Sequence, residues 1–147
     1  PAILSYPVRL PKGAVREQAI TAMDWFPTIL ELCGINRPEG LKLDGHSVLP
    51  LVADPSAPSA YRVMFWQWQQ GWMVREGDWK LIVGNTGGIG QPKLNRVYLA
   101  NLADERPEAT NHAKQHPDIV ERMTKLHEQW TREVVPEDPL ESTESPP

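Results

Sequence analysis

Trp72-Met-Val-Arg-Glu-Gly-Asp-Trp-Lys-Leu-Ile-Val83 decides how this chain folds. Val74, and then Trp79, Leu81 and Val83, recur at the two-residue period of a half-buried strand. Glu76-Gly77-Asp78 between them supplies polar residues and a glycine able to take positive φ. The stretch predicts an antiparallel hairpin. Downstream, Val97-Tyr-Leu-Ala-Asn-Leu-Ala-Asp104 reads as a further strand running into an acidic, polar turn. Upstream, Arg62-Val-Met-Phe-Trp-Gln-Trp68 alternates Val63, Phe65 and Gln67 with Met64, Trp66 and Trp68. Bulk on both faces makes it read as a central strand, and the four segments predict a four-stranded antiparallel sheet. The connection Asn85-Thr-Gly-Gly-Ile-Gly-Gln-Pro92 reads as a flexible loop. It lacks the spacing and the Lys of a phosphate-binding loop, and it joins two strands where such a loop opens a helix.

The segments on either side supply helices. Pro117 to Trp130 is amphipathic, with Ile119, Met123, Leu126 and Trp130 on one stripe, and is expected to cover one face of the sheet. Asp24 to Cys33 reads as a helix closed by Gly34. Asp24 is the expected N-cap, and Phe26, Ile29, Leu30 and Cys33 form an expected buried stripe. Pro1-Ala-Ile-Leu-Ser-Tyr6 has the unalternating apolar pattern of a strand covered on both faces. Leu43 to Val52 reads as a turn leading into a short apolar segment, and Asp54 to Ser59 as a surface loop. Past Val135 the apolar content is too low to order the tail, so 136–147 is expected to be disordered.

With 147 residues, a formal charge of −4 and 40% hydrophobic content, the chain is long enough for one domain's core and has no basic excess to draw it to nucleic acid. No apolar run reaches the roughly 18–20 residues of a membrane span. Cys33 is the single cysteine and has no internal disulfide partner. His112 and His116, four apart, can share a helical face as a metal pair. The plainer reading is surface histidines at a helix start, because Pro117 and Asp118 follow.

The hairpin, with its Arg-Glu-Gly-Asp-Trp-Lys80 core, and the Val97–Leu102 strand closely resemble the C-terminal subdomain of the formylglycine-dependent sulfatases. So, in the same order along the chain, do three earlier pieces: Pro1 to Gly13, Thr21-Ala-Met-Asp-Trp-Phe-Pro-Thr-Ile-Leu-Glu-Leu-Cys-Gly-Ile35, and Leu43-Asp-Gly-His-Ser-Val-Leu-Pro-Leu51. The resemblance covers most of residues 1 to about 133. It implies an α/β protein of the alkaline-phosphatase-like superfamily, α+β when this chain is taken alone. Residues 1–60 would be the trailing strand, helix and loops of a large α/β domain, and 61–135 a sheet-plus-helix subdomain. It also implies a parent that hydrolyses sulfate esters on a sulfated small molecule or glycan, uses a formylglycine nucleophile and Ca2+, and is exported to the periplasm or secreted.

No residue of this chain matches the Cys-x-Pro-x-Arg motif or the Ca2+ ligands that the resemblance implies, so no catalytic or metal residue is expected here, and those groups are expected in a sulfatase domain upstream of Pro1. Cys33-Gly-Ile-Asn-Arg37 has the Cys-to-Arg spacing, but Ile35 stands where the motif has Pro. Cys33 also ends a helix, where the dipole disfavours anions, and it reads as a small buried residue. Gln67, Gln69 and Trp68 are the substrate-contact candidates, since flat aromatic faces beside amides suit a sugar ring and its hydroxyls. Against this, Trp66 and Trp68 would simply pack under the C-terminal helix. Arg75 and Lys80 read as solvated strand residues. Two other functions compete: a phosphodiesterase or phosphonate hydrolase of the same superfamily, and a free-standing carbohydrate-binding module built on the Trp/Gln strand.

Overall fold

The computed structural model describes residues 2–68, 71–85 and 95–134, arranged as two compact units, Pro1–Arg62 and Val63–Pro147. The expected tail at 136–147 lies outside the described residues, as does the expected loop from residue 86 to 92.

The second unit is a meander. β1 (Val63–Trp68), β2 (Gly71–Glu76), β3 (Trp79–Asn85) and β4 (Asn95–Asn101) pair antiparallel in sequence order, and α3 (Pro117–Val134) lies on one face. The hairpin has the predicted register, with Trp72 opposite Val83, Val74 opposite Leu81 and Glu76 opposite Trp79. Gly77 takes φ +57° as the first of two turn residues, the place glycine holds in a II′-type hairpin.

The cross-strand pairs Phe65–Val74, Val74–Leu81 and Leu81–Leu99 make one apolar row across all four strands. Val74, Leu81 and Leu99 are fully buried there with Met123 of α3. Each such side chain removed from water contributes on the order of 1.5–3 kcal/mol. The stripe that α3 presents is Ile119, Val120, Met123, His127 and Trp130. Trp130 stacks on Phe65 with centroids 5.1 Å apart and planes 2° from parallel. Arg122 Nη1 meets Glu76 Oε2 at 2.5 Å, tying the helix to the end of β2.

β1 is an edge strand, not the central strand expected. Bulk at successive positions reports that both faces carry side chains, but it says nothing about how many neighbours the backbone has. Trp66 and Trp68 also differ from expectation. Phe65 is the β1 side chain stacked against α3, so strand alternation turns Trp66 and Trp68 to the opposite face, where each is 37% exposed.

The outer side of β4 is occupied by the polar turn that follows it. Asn111 Oδ1 accepts from Leu99 N–H (3.1 Å) and its Nδ2 donates to Val97 O (3.0 Å), while His112 N–H donates to Leu99 O (2.8 Å). The turn is pinned further by Lys80 paired with Glu108 and by Tyr98 Oη donating to Glu108 O at 2.7 Å. Glu108 takes φ +64°, a left-handed conformation uncommon outside glycine.

In the first unit a 3₁₀ turn (Ala22–Asp24) runs into α1 (Trp25–Leu32), and a short α2 (Leu49–Ala53) follows. Asp24 does not cap α1 through its side chain. Its carboxylate instead reaches back to Thr21 N–H (2.6 Å) and across to His46 N–H (2.8 Å) and the Tyr61 hydroxyl. Gly34 at φ +67° ends the helix, with Ile35 N–H bonded to Leu30 O at 2.9 Å, the closing bond of a glycine-terminated helix.

Two further expectations fail in this unit. Residues 2–6 form no strand: an apolar run becomes a strand only when a neighbour takes its backbone bonds, and residues 2–5 make none with the described chain. The α1 stripe is not buried either, because Phe26 is 51% and Ile29 55% exposed and Cys33 is exposed too. The face α1 does bury carries Asp24 and Thr28, so the apolar period marked a face that this unit leaves open.

Candidate functional site

The outer end of β1 is where the sequence placed substrate contacts. Gln67 pairs with Trp72 and Trp68 with Gly71. As strand neighbours they project to opposite faces, so the ladder does not bring Gln67 and Trp68 together. Gln67 is exposed on the face that also carries α3, beside Trp72. Gln69 lies outside the described residues.

Trp68 is held in place by its partner's lack of a side chain. A Cβ on Gly71 would sit 2.7–2.8 Å from the Trp68 indole atoms Cε2, Cζ2 and Nε1. The ring therefore lies over the glycine, replacing the packing that Gly71 itself cannot provide, and still leaves more than a third of its area open. The sequence signal for this was present as Trp68-x-x-Gly71 at a tight strand reversal.

Arg75 and Lys80 face each other across the hairpin. Arg75 Nε donates to Gly77 O at 3.1 Å and Lys80 is paired with Glu108. Both charges are engaged in holding turns.

Sequence reasoning missed the network around Asp24. The carboxylate is 1% exposed. Burial opposes its ionisation, yet hydrogen bonds from Thr21 N–H, the Tyr61 hydroxyl and His46 N–H prevail and hold the carboxyl below its ordinary range. One turn on, Thr28 Oγ1 donates to Asp24 O (2.6 Å) and accepts from Val48 N–H (3.0 Å). Asp24 and Thr28 thus fasten the helix start to the Asp44-Gly45-His46-Ser47-Val48 segment. Gly45 is required there, because a Cβ would lie 2.1 Å from Met23 O. Arg16 continues the fastening, donating from Nε and Nη2 to Leu51 O and Val52 O at 2.6 Å each. The arrangement holds the helix start in place.

Cys33 is exposed at the carbonyl end of α1, not buried as its place in the stripe suggested. Among the described residues no three His, Cys, Asp or Glu side chains are grouped so as to hold a metal ion. The described residues therefore do not fit the Ca2+ site or the formylglycine position of a sulfatase, and no chemical step is assigned to them.

A four-stranded antiparallel sheet with one covering helix is the fold of a sulfatase's C-terminal subdomain. The chain belongs to the sulfatase family whose model is described as N-sulphoglucosamine sulphohydrolase, C-terminal, which matches residues 1–84. It is similar to Arylsulfatase K of Rattus norvegicus (34% identical; 62% of this chain, 19% of that protein) and of Danio rerio (30%; 73% and 21%). It is also similar to N-acetylgalactosamine-6-sulfatase of Canis lupus familiaris (26%; 95% and 31%). The chain spans about a fifth of the length of the two Arylsulfatase K relatives. The fold is shared with a solved structure described as a complex with its substrate D-glucosamine-2-N,6-O-disulfate (TM-score 0.58, 17% identical, 81% of this chain and 25% of that one). Nothing in these comparisons favours the phosphodiesterase or the free-standing carbohydrate-binding module.

Proposed function

We propose that this chain is the C-terminal part of an enzyme that hydrolyses sulfate esters, in which it serves as scaffold and as one wall of the substrate cleft. In this reading residues 1–60 complete a large α/β domain, and residues 61–135 form the subdomain that carries the wall. The formylglycine and the Ca2+ belong to polypeptide that this chain does not match, while Gln67, Gln69 and Trp68 at the end of β1 touch the sugar. The family match carries the sulfatase part of this reading. The exposed, glycine-seated Trp68 at a strand end supports the cleft-wall part: a ring fixed before the ligand arrives costs less ordering on binding. Sulfated amino sugars are the substrate class to assay first, being named in two relatives' descriptions.

The test uses a full-length sulfatase containing this chain. Trp68→Ala and Gln67→Ala are expected to raise KM for a sulfated amino sugar several-fold while leaving kcat, and turnover of a small aryl sulfate, near the parent's values. Unchanged KM for the sugar in both variants overturns the cleft-wall role. Absence of any sulfate release by the parent overturns the sulfatase reading.

A further inference from the structure

The turn between β4 and α3 gathers three side chains that the function above does not use. His112 and His116 are four residues apart, and His116 N–H donates to His112 O at 3.0 Å. That bond makes the segment one helical turn and puts both side chains on one side of it. Their ring centroids are 6.2 Å apart. Both rings rest on Trp79, at 5.9 and 5.0 Å, and both residues are half-buried. Asp104 Oδ2 lies 2.8 Å from His112 Nε2.

We propose that His112 and His116 chelate a borderline transition-metal ion, of the Zn2+, Ni2+ or Cu2+ type, with Asp104 orienting His112. Two imidazoles on one metal with metal–nitrogen bonds of about 2.0–2.1 Å have centroids roughly 5–6 Å apart. The present separation of 6.2 Å lies just above that range. Nε2 of His112 is taken by the carboxylate, so Nδ1 is the nitrogen that faces the metal. A ligating imidazole whose other nitrogen donates to a carboxylate is the usual metal-site arrangement, and it fixes the tautomer and raises basicity. Imidazole ligands select this class of ion over Ca2+ or Mg2+. With two protein nitrogens the remaining positions are filled by water, so the site is an open chelate. Occupancy would lock the β4–α3 turn against Trp79. This inference is independent of the sulfatase reading.

The experiment is titration of the 147-residue protein with Cu2+ and, separately, Zn2+ at pH 7.5, followed by tryptophan fluorescence and calorimetry. One saturable equivalent is expected, with strong quenching by Cu2+ because Trp79 touches both rings. His112→Gln and His116→Gln are each expected to weaken binding at least tenfold. Asp104→Asn should weaken it about tenfold, the scale of losing a ligand's orienting carboxylate, and His46→Gln should leave it unchanged. The double variant Gln115→His/His116→Gln keeps two histidines but breaks the spacing, and it should bind as weakly as His116→Gln. No saturable equivalent, or full affinity in His112→Gln and His116→Gln, overturns the proposal. If either single variant fails to fold, full affinity in Gln115→His/His116→Gln overturns it alone.

Discussion

His127 lies flat on Trp72, with ring centroids 4.1 Å apart and planes 9° from parallel, and its Nε2 is buried without a hydrogen-bond partner. The stack joins α3 to β2. Burial pushes the imidazole below its usual pKa, against a smaller opposing pull from Glu128. The unfolded chain therefore holds a proton on His127 at pH values where the native chain does not. Stability from this residue is full above about pH 6.5 and falls as pH drops through that value towards the lower folded pKa. Urea midpoints measured at pH 7.5 and 5.5 should drop in the parent and drop less in His127→Phe, which keeps the stack without the titrating nitrogen. Equal drops in both would assign the slope to other groups.

Asp24 has the opposite sign. Its folded pKa is lowered, so its contribution is present above the unfolded value near 3.8 and disappears as pH falls through the folded one. Asp24→Ala strands Thr21 N–H, His46 N–H and the Tyr61 hydroxyl together, and it should cost about 3 kcal/mol at pH 7, read as a loss in denaturant midpoint. The difference between parent and variant should shrink at pH 3.

Two glycines separate backbone clashes from side-chain ones. At Gly45 an added methyl meets the Met23 carbonyl, and at Gly71 it meets the far side of the Trp68 ring. Gly45→Ala should therefore destabilise by about 2–4 kcal/mol, because backbone must shift. Gly71→Ala should cost less and should change Trp68 emission as the ring moves off.

Met123 is fully buried against Val74, Leu81 and Leu99. Met123→Ala should cost about 2–5 kcal/mol. Calorimetric melting of the variant checks it, and a melting temperature close to the parent's would mean that α3 is not the lid of this core.

Ile3 is 93% exposed, and the Phe26–Ile29 face of α1 is open as well. These apolar side chains offer surface to which an apolar probe can bind. The 147-residue protein should bind an apolar-surface dye at native pH, and Phe26→Ser/Ile29→Ser should reduce the signal. A sharp unfolding transition with no dye bound would show that this face is covered within the chain.

The sheet was legible because Val74, Leu81 and Leu99 recur at period two around a Gly77 turn, and local pattern alone sets that register. The α3 stripe was legible through Ile119, Met123 and Trp130, although His127 joins it and a polar residue gives no apolar signal. Strand order was not legible: Trp66 and Trp68 advertise burial, and only the tertiary position of Phe65 under Trp130 shows which face the helix took. The α1 stripe misled for a related reason, since Phe26 and Ile29 record a face suited to burial, whereas Asp24 and Thr28 bury the other through hydrogen bonds spanning more than fifteen residues. The cleft-wall role proposed for Gln67 and Trp68 would depend on a ligand and not on packing, so periodicity carries no signal for it.

Asn111 places its amide against Val97 and Leu99 and so imitates one residue of a fifth strand. With His112 N–H beside it, the growth point of the sheet at Leu99 is already occupied by the protein's own chain. A neighbouring copy therefore finds no open ladder at that position on which to polymerise. Replacing this one asparagine would uncover Leu99 N–H and Val97 O on the outer side of β4 while leaving Leu99 O with His112.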